Sequence, residues 1–173
     1  RQRCIRGGIV GAVSGPVIAD MDTGYGNALN ARHSVREFER AGVAGFHLED
    51  QTFPKRCGHL DDKGVVSTEE FTQKLRGVRD ALQDQDMIII ARTDAIAVEG
   101  FDAALDRAEL YAEAGADVLF VEAGQTVEQM AALPDRFRGR APPMANTVAG
   151  GKPPPTAAPA LQALGHSMVT FPG

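Results

Sequence analysis

The stretch Gly45-Phe46-His47-Leu48-Glu49-Asp50-Gln51 decides the fold of this chain, because it is an apolar run of strand length that ends in acidic residues. Short apolar runs bounded by Gly, Pro or acidic residues are typical of buried strands in parallel sheets. Similar runs occur at residues 16–22, 87–94, 117–122, 143–148 and 167–171. The sequence therefore predicts six buried parallel strands.

Helical patterns separate these runs. In residues 67–82, Phe71, Leu75, Val78 and Leu82 recur at intervals of three and four on one face, and Ser67 with Glu70 predicts a capping box. Further helices are predicted over residues 28–41, 101–114, 126–133 and 156–164. Alternating strands and helices predict a parallel α/β fold, and a (β/α) barrel is favoured over a doubly wound sheet. Periodicity alone does not separate those two folds.

The composition is that of a globular enzyme, with 173 residues, 43% hydrophobic residues and a formal net charge of -5. The acidic balance argues against nucleic acid as a partner, and no apolar stretch is long enough for a membrane partner. Cys4 and Cys57 make no disulfide framework, and the first residues lack the apolar centre of a signal peptide. A cytoplasmic location is the expectation.

The loop Lys55-Arg56-Cys57-Gly58-His59 follows the first quoted run. It sets a thiol between cations and an imidazole, surroundings that lower the pKa of a cysteine and suit a proton donor, base or nucleophile. Each residue also has a plainer interpretation, since a lone loop cysteine is usually inert and loop cations are usually solvated. Their clustering favours a catalytic loop.

Acidic and polar residues end the predicted strands, where barrel enzymes place their sites. Asp20 and Asp22 end the first run, and we expect them to share a strand face and reach one cation. The alternative is an ordinary turn, since Asp and Gly favour turns. The other strand-end residues are Glu49, Arg92, Asp94, Glu122 and Asn146. Oxygen-only ligands favour Mg²⁺ or Mn²⁺ over zinc.

These motifs, in this order and spacing, resemble the isocitrate lyase and phosphoenolpyruvate mutase superfamily over nearly the whole chain. The residues that carry the resemblance are Asp20-Met21-Asp22-Thr23-Gly24-Tyr25-Gly26, Glu49-Asp50-Gln51, Lys55-Arg56-Cys57-Gly58-His59 and Ala91-Arg92-Thr93-Asp94-Ala95. The resemblance implies a (β/α)8 barrel. Because a typical barrel needs about 250 residues, we expect residues 1–173 to form a single partial barrel domain, truncated at both ends.

The resemblance also implies roles for site residues. It implies Mg²⁺, with Mn²⁺ possible, at Asp20, Asp22 and Glu49, and a small carboxylate substrate held by Gly58, Arg92, Glu122 and Asn146. Cys57 is implied as the acid, with Arg56 and His59 stabilising charge around it. A salt bridge between Arg92 and Glu122 is the alternative that would make both structural. Asp94 is expected to orient Arg92, and Asp50 to be structural.

The implied reaction is cleavage of a carbon–carbon bond in a 2-hydroxy di- or tricarboxylate. The loop around Cys57 looks like that of methylisocitrate lyases, whereas Gly150-Gly151-Lys152-Pro153 looks more like dimethylmalate lyases and oxaloacetate decarboxylases or hydrolases. Alternatives are decarboxylase, hydrolase or phosphonomutase activity, or an inactive fragment. The resemblance further implies a homo-oligomer, a dimer of dimers, for the full-length protein, while the fragment alone is expected to associate through unpaired strand edges.

Overall fold

The computed structural model describes residues 8–55, 63–122, 126–147 and 158–171. Its strands are β1 Ile18–Asp20, β2 Gly45–Glu49, β3 Ile88–Thr93, β4 Val118–Val121, β5 Met144–Asn146 and β6 Met168–Thr170. Its helices are Ala28–Arg40, Thr68–Ala81, Ile96–Glu99, Phe101–Glu113, Val127–Arg136 and Ala158–Leu164, and residues 8–12 are also helical. Each of the six predicted strands is confirmed inside its predicted run. The short helix Ile96–Glu99 and the helical residues 8–12 were not predicted.

The strands lie side by side in the same order as in the sequence. β1 to β4 form one parallel sheet, and β5 and β6 form a parallel pair. A parallel bridge between Leu119 and Pro143 connects the two, and the N–H of Leu119 donates to the carbonyl of Pro142 at 3.1 Å. A doubly wound sheet instead reverses its strand order at a switch point. The observed strand order is therefore that of a (β/α) barrel and not that of a doubly wound sheet.

Each central strand is buried on both faces, as parallel strands covered by helices are. Phe46, Leu48, Ile89 and Leu119 belong to the large core between the sheet and the helices. The opposite, inner face carries a smaller apolar cluster of Ile90, Val118, Phe120 and Met144. Polar residues replace this cluster at the carboxyl ends of the strands, which makes that end of the inner face the candidate site.

The helix ends follow the sequence signals in most places. Gly42 and Gly115 have φ of 79° and 106°, the left-handed conformation that glycine adopts most readily after a helix. Ser67 caps its helix by accepting the N–H of Glu70 at 3.2 Å. Only this half of the capping box predicted at Ser67 and Glu70 is found. A capping box with both hydrogen bonds occurs at Asn27 and Asn30, where none was predicted. No helix in the described part of the chain is long and apolar enough to cross a lipid bilayer.

The helix Val127–Arg136 continues past the point where it was predicted to end. Pro134 lies inside it and has no N–H to donate to the carbonyl of Met130, four residues earlier. That carbonyl instead meets Nε2 of His166 at 2.9 Å, and His166 is buried. A side chain from the segment before β6 therefore supplies the partner that the proline removes.

Candidate active site

Three carboxylates at the ends of β1 and β2 converge on one ammonium group. Nζ of Lys55 lies 3.4 Å from Oδ2 of Asp20 and 3.3 Å from Oε1 of Glu49, and it also pairs with Oδ1 of Asp22. These are the three carboxylates predicted to hold a metal. The structure thus brings them together around a single cation.

Asp22 reaches this point by a route that differs from the prediction. β1 ends at Asp20, and Asp22 follows in a turn with φ of 51°, so the expected shared strand face is wrong. The N–H of Asp22 donates to Oδ1 of Asp20 at 2.8 Å, and its carbonyl accepts the N–H of Glu49 at 3.0 Å. Asp tolerates the left-handed conformation better than most residues. The turn, rather than strand alternation, aims Asp22 at the cation.

Glu49 is the most buried of the three carboxylates, at 4% exposure. Its Oε1 is buried and receives no hydrogen bond from any described residue, while Oε2 lies 3.5 Å from Nε of Arg92. Burial raises the pKa of Glu49, and the charges of Arg92 and Lys55 oppose that rise. A buried oxygen without a donor is one that a cation can satisfy.

The donor set fits a hydrated magnesium or manganese ion. All three side chains offer carboxylate oxygens, the ligands that these hard cations prefer. Across residues 8–55, 63–122, 126–147 and 158–171, no three His, Cys, Asp or Glu side chains form a ready-made metal cage. Because Mg²⁺ usually keeps several of its waters, the three carboxylates can hold the ion through water molecules as well as directly. Asp20, Asp22 and Glu49 are the residues that would hold the ion.

Lys55 is a residue of this site that sequence reasoning did not assign. Burial alone would lower the pKa of Lys55, but the hydrogen bond with Asp22 and the charges of Glu49 and Asp20 raise it above its usual value. The sequence signal that could have identified Lys55 is its position a few residues after the acidic end of β2. Lys55 was grouped with the loop cations instead.

Arg92 occupies the β3 position that registers with Glu49 on β2. Asp94 holds its guanidinium in a fork, with Nε 2.9 Å from Oδ2 and Nη2 3.1 Å from Oδ1. The guanidinium carbon also lies 5.0 Å from the ring centroid of Phe120. The ion pairs of Arg92 are with Asp94 and Glu49, so the alternative of a salt bridge to Glu122 is not the arrangement found.

Glu122 and Asn146 meet at the ends of β4 and β5. Nδ2 of Asn146 donates to Oε2 of Glu122 at 3.4 Å, and Oγ1 of Thr170 donates to Oδ1 of Asn146 at 3.1 Å. Thr170, at the end of β6, was not predicted. Below this layer, the ring of His47 packs edge-on against Phe120 with centroids 5.8 Å apart, and burial lowers the pKa of His47.

Asp50 lies next to Glu49 in the chain but faces the helices. It accepts hydrogen bonds from Oγ1 of Thr93 at 2.7 Å, the hydroxyl of Tyr111 at 2.8 Å and the N–H of Asp94 at 3.1 Å. The interpretation of Asp50 as structural agrees with this set of donors.

The predicted Arg56, Cys57, Gly58 and His59 lie outside the described residues, as do Cys4 and the Gly150-Gly151-Lys152-Pro153 motif. The residues on either side of the first of these segments are described. Lys55 contacts the three carboxylates, and Nζ of Lys63 lies 3.1 Å from Oδ1 of Asp94. Both flanking residues therefore contact the candidate site.

Comparison with known proteins decides the family. The family model for phosphoenolpyruvate phosphomutase matches residues 5–173. The chain belongs to this family. It is 44% identical to 2,3-dimethylmalate lyase of Eubacterium barkeri, with 95% of this chain and 56% of that protein covered. It is also 44% identical to 2-methylisocitrate lyase of Aeropyrum pernix, with 91% and 50% covered. The chain spans about half the length of these curated relatives.

Several solved structures share the fold of this chain. A crystal structure of 2,3-dimethylmalate lyase matches with a TM-score of 0.93 and 35% identity, covering 98% of this chain and 57% of its own. Oxaloacetate acetylhydrolase with 3,3-difluorooxalacetate gives 0.92 and 35%, covering 98% and 58%. Phosphonopyruvate hydrolase with oxalate and Mg²⁺ gives 0.81 and 33%, covering 99% and 58%. The first is a member of the phosphoenolpyruvate mutase and isocitrate lyase superfamily, which confirms the resemblance found in the sequence.

Proposed function

We propose that this chain belongs to a Mg²⁺-dependent lyase that cleaves a carbon–carbon bond of a 2-hydroxy di- or tricarboxylate resembling 2-methylisocitrate. The products would be a 2-oxo acid such as pyruvate and a carboxylate such as succinate. One observation carries the proposal: the carboxylates of Asp20, Asp22 and Glu49 meet at one ammonium group, and Oε2 of Glu49 also lies 3.5 Å from Nε of Arg92. A cation-binding side and an anion-binding side therefore adjoin, as a chelated carboxylate substrate requires.

The residues divide the work by charge. Mg²⁺, when bound at Asp20, Asp22 and Glu49, would lower the pKa of the substrate hydroxyl. Arg92 would bind a substrate carboxylate, because its planar fork matches that group and Asp94 already fixes its orientation. Glu122 and Asn146 would contact the substrate from the neighbouring strand ends. The relatives named as lyases of dimethylmalate and methylisocitrate support this substrate class.

Cys57 would complete the reaction. Solvent water would accept the hydroxyl proton, the new carbonyl would form as the adjacent carbon–carbon bond breaks, and the electron pair of that bond would pass to the departing fragment. That fragment must gain a proton, and the thiol of Cys57 would donate it, with Arg56 and His59 stabilising the charges around it. Gly58 would let backbone N–H groups approach a carboxylate.

Hydrolysis or decarboxylation of oxaloacetate is a second candidate function. The structural match to oxaloacetate acetylhydrolase at a TM-score of 0.92 favours it, because the same fold carries that activity there. Oxaloacetate has a carboxylate that Arg92 would bind and a 2-oxo oxygen that a bound Mg²⁺ would bind. Its reaction differs in needing water or loss of CO₂ at the cleaved bond.

A substrate screen separates these functions. The full open reading frame containing these residues would be assayed with Mg²⁺ against 2-methylisocitrate, 2,3-dimethylmalate, isocitrate and oxaloacetate, with pyruvate, glyoxylate and oxalate measured. We expect pyruvate from one of the first two substrates. Oxalate or pyruvate from oxaloacetate alone would instead establish the second candidate, and no turnover of any of the four would refute both.

The role of Cys57 has its own test. Cys57→Ser keeps the shape of the side chain but makes a much weaker acid, so turnover should fall by roughly a hundredfold to ten-thousandfold while KM changes little. Cys4→Ser is the matched control and should leave turnover unchanged. A Cys57→Ser variant that reacts at the wild-type rate would show that the thiol is not the proton donor.

A further inference from the structure

Lys55 stands where the three candidate metal ligands meet. Its ammonium contacts Asp20, Asp22 and Glu49 together. We infer that Lys55 is an internal competitor of the metal, whose ammonium and a divalent cation occupy the same carboxylates in turn, so that metal binding displaces the lysine side chain. This inference rests on the proposed function, because it takes these three residues as the metal ligands.

The geometry makes the two cations mutually exclusive. An ammonium is a compact charge with three donors on a flexible stem, so one lysine can serve several carboxylates at once. A divalent ion held by the same oxygens would lie within a few ångströms of the ammonium, and like charges at that separation repel strongly near a protein surface. The lysine must therefore leave when the ion binds.

The contacts of Glu49 explain why a divalent ion would replace the ammonium of Lys55. Oε1 of Glu49 lies 3.3 Å from the ammonium, yet it receives no hydrogen bond from the described residues. Lysine thus pairs with this oxygen by charge alone. A divalent ion, or a water bound to it, supplies the contact that the ammonium leaves unmade.

The other two lysines in the described part of the chain have different partners. Lys63 pairs with Asp94 and its side chain is 2% exposed, and Lys74 donates to the carbonyl of Thr23 at 2.8 Å. The side chain of Lys55 is 34% exposed. It can therefore move into water without leaving an unpaired charge in the interior, which the other two cannot do.

Metal affinity tests the inference directly. Calorimetric titration with Mn²⁺ would compare the wild-type protein with Lys55→Met and Asp22→Ala. We expect Lys55→Met to bind about tenfold more tightly, the combined size of a few partly exposed ion pairs, and Asp22→Ala to bind more weakly. Equal affinity in wild type and Lys55→Met would overturn the competition. No binding by wild type or Lys55→Met would refute the proposed metal site itself.

Soluble amines distinguish displacement from a general effect of charge. With Lys55→Met, butylammonium should take the place of the missing side chain and weaken Mn²⁺ binding, whereas tetramethylammonium at the same concentration should not, because it has no N–H to donate. Equal effects of the two salts would mean that Lys55 acts only through its charge, which overturns displacement. In wild-type protein neither salt should matter beyond ionic strength.

Nitrogen-15 NMR of the lysine side chains gives a readout that needs no turnover. The ammonium signal of Lys55, identified by its absence in Lys55→Met, should move or disappear as Mg²⁺ is added. The signals of Lys63 and Lys74 should stay in place. A Lys55 signal that remains unchanged while calorimetry records Mg²⁺ binding would show that both cations are held together, and would overturn the inference.

Discussion

Glu49 and Asp50 are neighbours in the chain and opposites in the structure. The side chain of Glu49 faces the inner surface of the sheet, where its partners are the cations Lys55 and Arg92. Asp50 faces the helices, where Thr93, Tyr111 and the N–H of Asp94 all donate to it. The fold supplies the hydrogen-bond donors of Asp50, whereas the partners of Glu49 are two cations, one of which, Lys55, is partly exposed and can be replaced by a ligand.

The electrostatics of the two carboxylates differ in the same way. Burial raises the pKa of both Glu49 and Asp50. The rise is opposed at Asp50 first by the hydrogen bonds of Thr93 and Tyr111, and at Glu49 by the charges of Arg92 and Lys55. The donors around Asp50 stabilise the fold, whereas the ammonium of Lys55 at Glu49 can be replaced by a ligand. The comparison therefore predicts that mutations at the two places affect different measurements.

The largest effect is expected from Asp22→Ala. Loss of this carboxylate removes one of three anionic ligands, and turnover should fall by roughly a thousandfold or more while the thermal midpoint stays within a few degrees of wild type. Activity assays with Mg²⁺ and calorimetric unfolding measure the two quantities. Asp86→Ala, which removes an exposed carboxylate on the loop before β3, is the matched control and should keep full turnover. Full activity of Asp22→Ala in EDTA would contradict a metal role.

The next effect concerns stability. Asp50→Ala leaves the hydroxyls of Thr93 and Tyr111 without their acceptor, and leaves Arg107 without a carboxylate 3.7 Å away. Breaking a buried, charged network of this kind costs about 3–5 kcal/mol. Urea unfolding followed by circular dichroism should record that loss. If the variant folds as stably as wild type but loses metal binding, the assignment of Asp50 to the fold and Glu49 to the site is reversed.

The sequence predicted the strands well because their signal is local. Each strand is a continuous apolar run that ends in polar residues, and burial on both faces requires only such a run. The helix Val127–Arg136 shows where local signals fail. Pro134 predicts a helix end from local chemistry, but His166, far along the chain, satisfies the carbonyl that Pro134 leaves free.

The sequence predicted which residues form the candidate site better than it predicted how they are arranged. Asp20, Asp22, Glu49 and Arg92 were all named from their places at strand ends. Lys55 was not assigned, because its role depends on the end of β1 and the end of β2 meeting at one ammonium, a contact that no local pattern records. A turn at Asp22 was named only as the alternative to a metal site. That the turn itself aims Asp22 at the cation was not predicted, since its backbone is set by hydrogen bonds with Asp20 and Glu49.

A smaller effect, with a distinctive pH dependence, is expected from Asp94→Asn. Burial would raise the pKa of Asp94, but the hydrogen bonds and charges of Arg92 and Lys63 outweigh it and lower the pKa. An acid whose pKa is lowered by folding adds stability above its unfolded pKa, and that stability is lost as the pH falls through the folded value. Asp94→Asn should thus lose about 2–3 kcal/mol at pH 7.

The difference between wild type and Asp94→Asn should stay constant from about pH 7 to pH 5 and shrink below about pH 4, where Asp94 of the unfolded chain takes up a proton, until the pH falls through the lowered pKa of the folded protein. Urea unfolding at a series of pH values measures it. A difference that persists unchanged in acid would mean that the shape of the side chain, rather than its charge, matters at this position.

The smallest effect is expected from Tyr111→Phe. It removes the hydroxyl that donates to Asp50 at 2.8 Å and accepts from Arg107 at 3.2 Å, but keeps the ring, which packs against Phe71 with centroids 4.6 Å apart. Asp50 retains two other donors, so the loss should be about 1 kcal/mol, with turnover unchanged. In an Asp50→Ala background the same substitution should cost less, because the shared contact is already gone. A Tyr111→Phe variant of normal stability but reduced turnover would show that the hydrogen bonds around Asp50 control the active site. The assignment of Asp50 to stability and of Glu49 to function would then be wrong.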